Sequence, residues 1–271
     1  MKYIKLYESF EDIDSICKKY SIENYTINSD GTVDVDGDVY LNNKSTKLPL
    51  KFGKVSGDFD CNFNNLTTLE GCPQSVGGNF GCTNNKLTTL EGCPQSVGGY
   101  FTCGYNLLIS LKGCPQSVGG DFSCKRNLLT TLEGCPQSLI GNFYCDENEL
   151  TTLKGGPKSV ALDFYCNNNQ LISLEGCPKT LGNIFNFYGN RLKDLYGFPE
   201  FFDGYIFYQL NPVSEILDLF NEKLVKGIEF LNEYSVIQQD GKVVILDRLE
   251  EVFHTLNVEI PEINLNNYEV Y

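Results

Sequence analysis

The sequence predicts a repeat solenoid, mainly β, closed by different segments at its two ends. Seven of the ten prolines (Pro73, Pro94, Pro115, Pro136, Pro157, Pro178 and Pro199) stand 21 residues apart. The same period carries an asparagine from Asn64 to Asn211, a leucine from Leu66 to Leu192 and a phenylalanine from Phe59 to Phe185. A unit of 21 residues is too short to bury an apolar face of its own, so each must stack on its neighbours into a quasi-one-dimensional array.

One unit runs from Asn79 to Gly99. Phe80 and Cys82 alternate with Asn79, Gly81 and Thr83, which is strand spacing with Phe and Cys turned inward. Asn85 follows where the chain leaves the strand; repeated at one level, an inward asparagine can hydrogen-bond the main chains of adjacent coils. Leu87 and Leu90 return to the core, Gly92 permits a tight bend, and Pro94 holds the outer segment extended.

Composition bounds the rest. The chain of 271 residues is 41% hydrophobic and 21% charged, enough to fold with a sizeable core in one or two domains. Its formal charge of −14 disfavours direct binding to nucleic acid or an anionic membrane and favours a basic partner. No run approaches a membrane span, and Met1-Lys2-Tyr3-Ile4-Lys5-Leu6-Tyr7-Glu8 has acid and hydroxyl where a secretory signal needs apolar residues. The sequence therefore reads as soluble and not exported by the general route.

Three regions are expected. Residues 1–57 form an N-terminal cap, with a helix over Ser9 to Tyr20 (Ser9 and Asp12 placed as its start) and a β-hairpin with turn signals at Asp30-Gly31 and Asp36-Gly37. Residues 58–211 hold the repeats. Residues 212–271 form an acidic α/β cap with two helices between Ile216 and Leu231, a strand over Lys242 to Leu246 and a helix over Asp247 to Leu256. That last region has 4 basic and 12 acidic residues and so carries −8 of the −14; it is either a solvated surface or an acidic docking face.

Phe80-x-Cys82-x-x-Asn85-x-Leu87 resembles the latter part of the leucine-rich repeat pattern L-x-x-L-x-L-x-x-N/C-x-L, with Phe and Cys in place of Leu. Pro94-x-x-Val97 looks like the P-x-x-L piece of the short repeats in secreted bacterial effectors, whose convex sides are extended. The chain departs from that pattern by the extra glycine in Gly98-Gly99, which removes the first Leu position. The likeness covers about residues 38 to 211 and implies a leucine-rich-repeat horseshoe with a concave strand face for binding. The wording Leu-Glu-Gly-Cys-Pro-Gln-Ser-Val-Gly-Gly and the opening Met1 to Phe10 also look like leucine-rich repeat proteins encoded by tailed bacteriophages. That implies a viral protein in the cytoplasm of a bacterial host.

Cys61, Cys82, Cys103, Cys124, Cys145 and Cys166 share one level of the repeat, and Cys72, Cys93, Cys114, Cys135 and Cys177 another. Disulfides or metal ligation are alternatives to a plain core. The inward spacing, the absence of a C-x-x-C pair and the continuation of the first row by Phe187 and Tyr208 favour reduced core ladders in a reducing cytoplasm. Asp34-x-Asp36-Gly37-Asp38 fails the spacing of a calcium loop and reads as a turn. No cofactor, metal site or catalytic constellation is expected: phosphate loop and nucleophile elbow are missing, and the lone His254 has no nucleophile in its pattern. Some effector relatives carry a C-terminal ubiquitin-ligase domain with a catalytic cysteine. Here the last cysteine is Cys177.

What remains for function is the strand face not used by the core. Tyr144, Tyr165, Tyr188, Tyr205 and Phe207 gather in its second half beside Asp146 and Asp163, with Asp121 and Tyr100 on the same face. They are the candidate partner-binding residues, since tyrosine offers broad contact area with a polar tip. The alternative is cross-strand stacking that only stabilises the sheet. The leading expectation is a non-enzymatic interaction module for a protein partner, host-encoded if the phage resemblance holds. Two others are a structural or assembly component of a phage particle, and an inhibitor of bacterial defence acting by sequestration or acidic mimicry. Oligomeric state is left open.

Overall fold

The computed structural model of the chain describes residues 13–42, 44–238 and 241–271. It is a β-solenoid of mostly parallel strands. Two strips of short strands run its length, one per coil on each side. The strip carrying the phenylalanines is a nine-stranded sheet from Val39–Tyr40 to Tyr205–Phe207, paired in parallel from Phe59–Asp60 onward with each Phe opposite the next, as in Phe122↔Phe143. That register is strongly specified, because a slip of one residue would turn every phenylalanine to solvent. Phe59, Phe80, Phe101, Phe122, Phe143, Phe164 and Phe185 are all buried, with successive ring centroids 5.1–5.8 Å apart.

Between the strand and the leucines, the expected asparagine ladder is present. Asn85 Nδ2 donates to Cys61 O (3.0 Å) in the preceding coil and to Cys82 O (3.1 Å) in its own, and its Oδ1 accepts from Leu66 N (2.9 Å). The turn itself falls one residue earlier than the asparagine. Phe63, Asn84, Tyr105, Arg126, Glu147, Asn168, Gly189 and Leu210 all have φ between +53° and +65°. Only one is glycine, so the ladder holds several ordinary side chains in a conformation that disfavours them. Gly92 and its counterparts, with φ between +83° and +95°, make the second corner, where Cys93 N donates to Leu90 O.

The outer segment was expected to be extended; it also pairs. Ser75–Val76, Ser96–Val97 and Ser117–Val118 continue a parallel sheet that begins with the hairpin Tyr25–Ile27 and Val33–Val35. Asp36-Gly37 is no hairpin turn: there the chain passes from the outer strip to the phenylalanine strip. The outer sheet stops after Ser117–Val118 and restarts as a separate one at Ser138–Leu139. The cause lies in one row. A Cβ on Gly98 would collide with the Gly77 carbonyl, and one on Gly119 with the Gly98 carbonyl, and the next residue in that row is Ile140. A β-branched side chain cannot follow so close an approach. At the gap Gln116 Nε2 donates to Gly134 O instead, at 2.8 Å.

At the N-terminal end, residues 13–19 are helical (α1) and Cys17 is buried against the first coils; Ser9, Asp12 and the opening Met1 to Phe10 lie outside the described residues. After Pro212 come α2 (Ser214–Leu217), a 3-10 turn (Asn221–Lys223), α3 (Leu224–Glu233) and α4 (Leu246–Leu256). Val243–Val244 pairs with Ile237–Gln238 on one side and with Glu269–Val270, a strand the sequence did not suggest, on the other.

All twelve cysteines are free thiols. Burial pushes Cys82, Cys103 and Cys145 well above the ordinary thiol range and Cys114 up to about 12. The reactive thiolate is thereby suppressed. Native protein titrated with a thiol reagent at pH 8 is therefore expected to show little reaction, starting at the half-buried Cys93 and Cys177, whereas denatured protein reacts at all twelve. Rapid native reaction of the Cys82 row would contradict its burial.

Candidate functional site

The outward face of the nine-stranded sheet carries three rows of side chains, fixed by the alternation that buries Phe and Cys. The first row is a second ladder. Asp58 Oδ1 accepts from Asn79 N (2.7 Å), Asn79 Oδ1 from Tyr100 N (2.9 Å), Asp121 Oδ1 from Asn142 N (2.8 Å) and Asn142 Oδ1 from Asp163 N (3.0 Å). Asp121 thus joins coils through one oxygen. Asp163 faces Tyr165, whose hydroxyl donates to Asp163 Oδ2 at 3.5 Å. The sequence marks both aspartates as candidate partner-binding residues; the structure shows each engaged in hydrogen bonds on the sheet face.

In the middle row Tyr144 and Tyr165 stack, with ring centroids 5.1 Å apart and planes 14° from parallel. Asn186 then stands between Tyr165 and Phe207 in the register. Tyr188 belongs to the third row and Tyr205 to the first, at opposite ends of their strands. The structure therefore gathers Tyr144 and Tyr165 into one ring pair and sets Tyr188, Tyr205 and Phe207 around the last coils. Burial, then neighbouring carboxylates, raise the phenol pKa of both Tyr144 and Tyr165, so at neutral pH both act as hydroxyl donors.

Beside Tyr144 lies a groove of about 400 Å³. Its floor is Thr102, Gly104 and Ser123, and its walls include Tyr100, Phe63 and Tyr144. Asp121 stands at one end of the strand and Lys125 at the other, so the groove is polarised across its width. Lys125 Nζ lies 5.8 Å from the Tyr105 ring, and the Arg126 guanidinium lies 4.8 Å from the same ring while pairing with Glu147 at 2.8 Å. Tyr100, Tyr144 and Asp121 were singled out in the sequence. The floor was not, although its signal was there: Gly81, Thr102 and Ser123 are consecutive small residues in a row that later turns aromatic.

Asp146, in the third row next to Lys125, is an anomaly among the described residues. Its Oδ1 is buried without a hydrogen-bond partner, and burial raises its carboxyl above the usual range, with Lys125 and Arg126 opposing. An acid whose folded-state pKa lies above its unfolded value destabilises the fold when ionised and relieves that cost as pH falls through the folded pKa. Asp146→Asn is therefore expected to stabilise the protein at pH 7 by about 1 kcal/mol, the low end for an unsatisfied buried polar atom. The gain should shrink at pH 4. Urea denaturation at both pH values checks it; a loss of stability at pH 7 would contradict the assignment.

Among the described residues no group of three His, Cys, Asp or Glu could hold a metal ion, and no helix is long and apolar enough to cross a membrane. His254 lies in the last turn of α4, outside the repeat array. The face offers aromatic surface, hydroxyl donors, carboxylates and one ammonium group. No family model matches the chain, and no curated protein or solved structure matches it either.

Proposed function

We propose that the chain is a non-enzymatic interaction module of the leucine-rich-repeat kind, binding a protein partner through the outward face of its nine-stranded sheet. The observation that carries this is the Tyr144–Tyr165 stack standing beside a polarised groove on a rigid parallel sheet. Aromatic anchors next to a pocket are the usual centre of a binding surface, and a sheet that does not rearrange loses little entropy when it binds. The Phe-x-Cys-x-x-Asn-x-Leu unit and its asparagine ladder support the family reading. The wording of the units supports a phage origin, hence a partner encoded by the bacterial host. Rows of unbridged thiols suit a reducing cytoplasm.

The test is affinity capture from bacterial lysate with three forms of the protein: unaltered, Tyr144→Ala with Tyr165→Ala, and Tyr196→Ala on a different exposed surface. One protein is expected with the unaltered and Tyr196→Ala forms and is lost with the double variant, for which truncating two anchors costs about 2 kcal/mol or more each. Equal recovery by all three would overturn the assignment to this face. Incorporation into virions without such a partner would point to a structural component instead.

A further inference from the structure

The nine-stranded sheet is finished differently at its two ends. At the first strand the inward Val39 and Leu41 are 0% and 2% exposed. At the last strand Ile206 and Tyr208, which take the places of the fully buried Phe185 and Phe187 one coil on, are only half-buried. The segment after Pro212 covers the leucine side of the last coil: Val213, Ile216 and Leu217 are buried, Asn232 Nδ2 donates to Leu195 O at 3.2 Å, and the Tyr268 hydroxyl donates to Lys193 O at 3.0 Å. On the strand side it bonds Tyr208, whose hydroxyl donates to Asp218 Oδ1 at 2.8 Å and whose carbonyl accepts from Ser214 Oγ at 3.1 Å, and it adds no strand to the sheet.

Tyr205–Phe207 pairs with Ile184–Asn186 along one edge, and no strand among the described residues pairs its other edge. Tyr205 N donates to Asn183 O and Phe207 O accepts from Phe187 N, so both residues direct main-chain groups at the preceding coil. By the alternation of a parallel ladder, the N–H and C=O of Ile206 face the open side. Beside them stand Tyr205 and Phe207, which are 77% and 46% exposed, and the corner that follows the strand carries Leu210, 67% exposed. An edge with free main-chain groups and apolar side chains is a template for another strand.

We propose that this edge accepts an extended, basic segment of a partner protein as an additional strand of the sheet. Charge selects the occupant. Residues 212–271 hold 12 acidic and 4 basic residues, Asp218 of that segment bonds Tyr208 next to the strand, and the exposed Asp203 stands two residues before the strand. A second copy pairing edge to edge would bring two such regions of −8 together, whereas a strand bearing lysine or arginine meets opposite charge. Apolar residues at alternate positions of that strand would cover Ile206. The surface is separate from the groove beside Tyr144.

The probe is a short peptide alternating lysine and valine, titrated against the full chain. Its controls are the same peptide with glutamate for lysine, and one of equal charge interrupted by proline so that it cannot extend. The alternating basic peptide is expected to bind at least about tenfold more tightly than either control, a difference of about 1.4 kcal/mol. Ile206→Pro removes the outward N–H without touching the bonds to the preceding coil, a position where an edge strand tolerates proline; it should weaken binding about tenfold or more, while Ile109→Ala, at an exposed position on another coil, leaves it unchanged. Phe207→Lys, which adds like charge at the edge, is the second variant should Ile206→Pro fold poorly, and is expected to weaken binding similarly. Slower amide exchange at Ile206 on binding would mark the added strand. Equal binding of the proline-interrupted peptide, or binding unaffected by a folded edge variant, overturns the proposal. So does a concentration-dependent dimer that the edge variant abolishes, since that would give the edge to a second copy.

Discussion

Replacing Asn106 with alanine is expected to lower the unfolding free energy by about 2–4 kcal/mol, since one buried amide loses its acceptor and two buried carbonyls each lose one of their donors. The Asn106 carboxamide is buried between two coils. Its Nδ2 donates to Cys82 O (3.0 Å) and Cys103 O (3.1 Å), and its Oδ1 accepts from Leu87 N (3.0 Å). Alanine would leave the Leu87 amide without that partner where water does not reach, at a cost of about 1–3 kcal/mol, while Cys82 O keeps the Asn85 carboxamide and Cys103 O that of Asn127, each with one bond fewer. Asn106→Asp should not rescue, because it removes the donor and adds a charge. Asn211→Ala should cost about as much, because there too one amide, Leu192 N, loses its acceptor while Tyr208 O keeps Ser214 Oγ and Phe187 O keeps the Asn190 carboxamide. Urea denaturation of the three variants gives the comparison. A loss under about 1 kcal/mol for Asn106→Ala would mean that water or a neighbouring group replaces the ladder.

Much of the fold could be read because the repeat states each structural requirement several times over. Phe80 and Cys82 alternate with polar neighbours, and the structure buries both. Asn85 stands alone among small and polar residues, and it bonds as a buried asparagine between coils must. The period is silent where one coil departs from the rest. Ile140 differs from Gly119 by a side chain that looks harmless on paper, yet the Gly98 carbonyl beside Gly119 shows how little room the row allows. The outer sheet breaks there. The left-handed residues were hidden for the opposite reason: Phe63, Tyr105, Arg126 and Glu147 share nothing in composition, since it is the asparagine after them that fixes the turn. The candidate face was legible as three rows but not as a surface. A sequence gives the order of residues along a row; it does not show that Asp121 is engaged in holding Asn142, or that Thr102, Gly104 and Ser123 leave a depression between larger neighbours. The open edge at Ile206 was out of reach as well, because it depends on where the acidic segment after Pro212 packs.

Phe80→Ala is expected to cost about 3–5 kcal/mol, as a buried phenylalanine usually does when its space cannot collapse, and Phe122→Ala about 1 kcal/mol less. The two differ in how their coils meet. Phe80 lies between Phe59 and Phe101 with ring planes only 6° and 7° from parallel, under an outer sheet that is continuous through Ser75–Val76, Ser96–Val97 and Ser117–Val118. Both strips hold these coils at a fixed spacing, so removal of the ring leaves a cavity. Phe122 is tilted 36° from Phe101 and stands edge-on to Phe143 at 63°, across the same interface at which the outer sheet is interrupted. With no outer strand pairing between Ser117–Val118 and Ser138–Leu139, these coils are held mainly from the phenylalanine side and can settle into part of the vacated volume. Ile140→Gly removes the side chain that blocks the outer pairing. Placed in the Phe122→Ala background it should make the loss there approach that of Phe80→Ala, since a continuous outer sheet would no longer let the coils close. Equal losses at Phe80 and Phe122 in the otherwise unaltered chain would show that the interruption does not loosen the core.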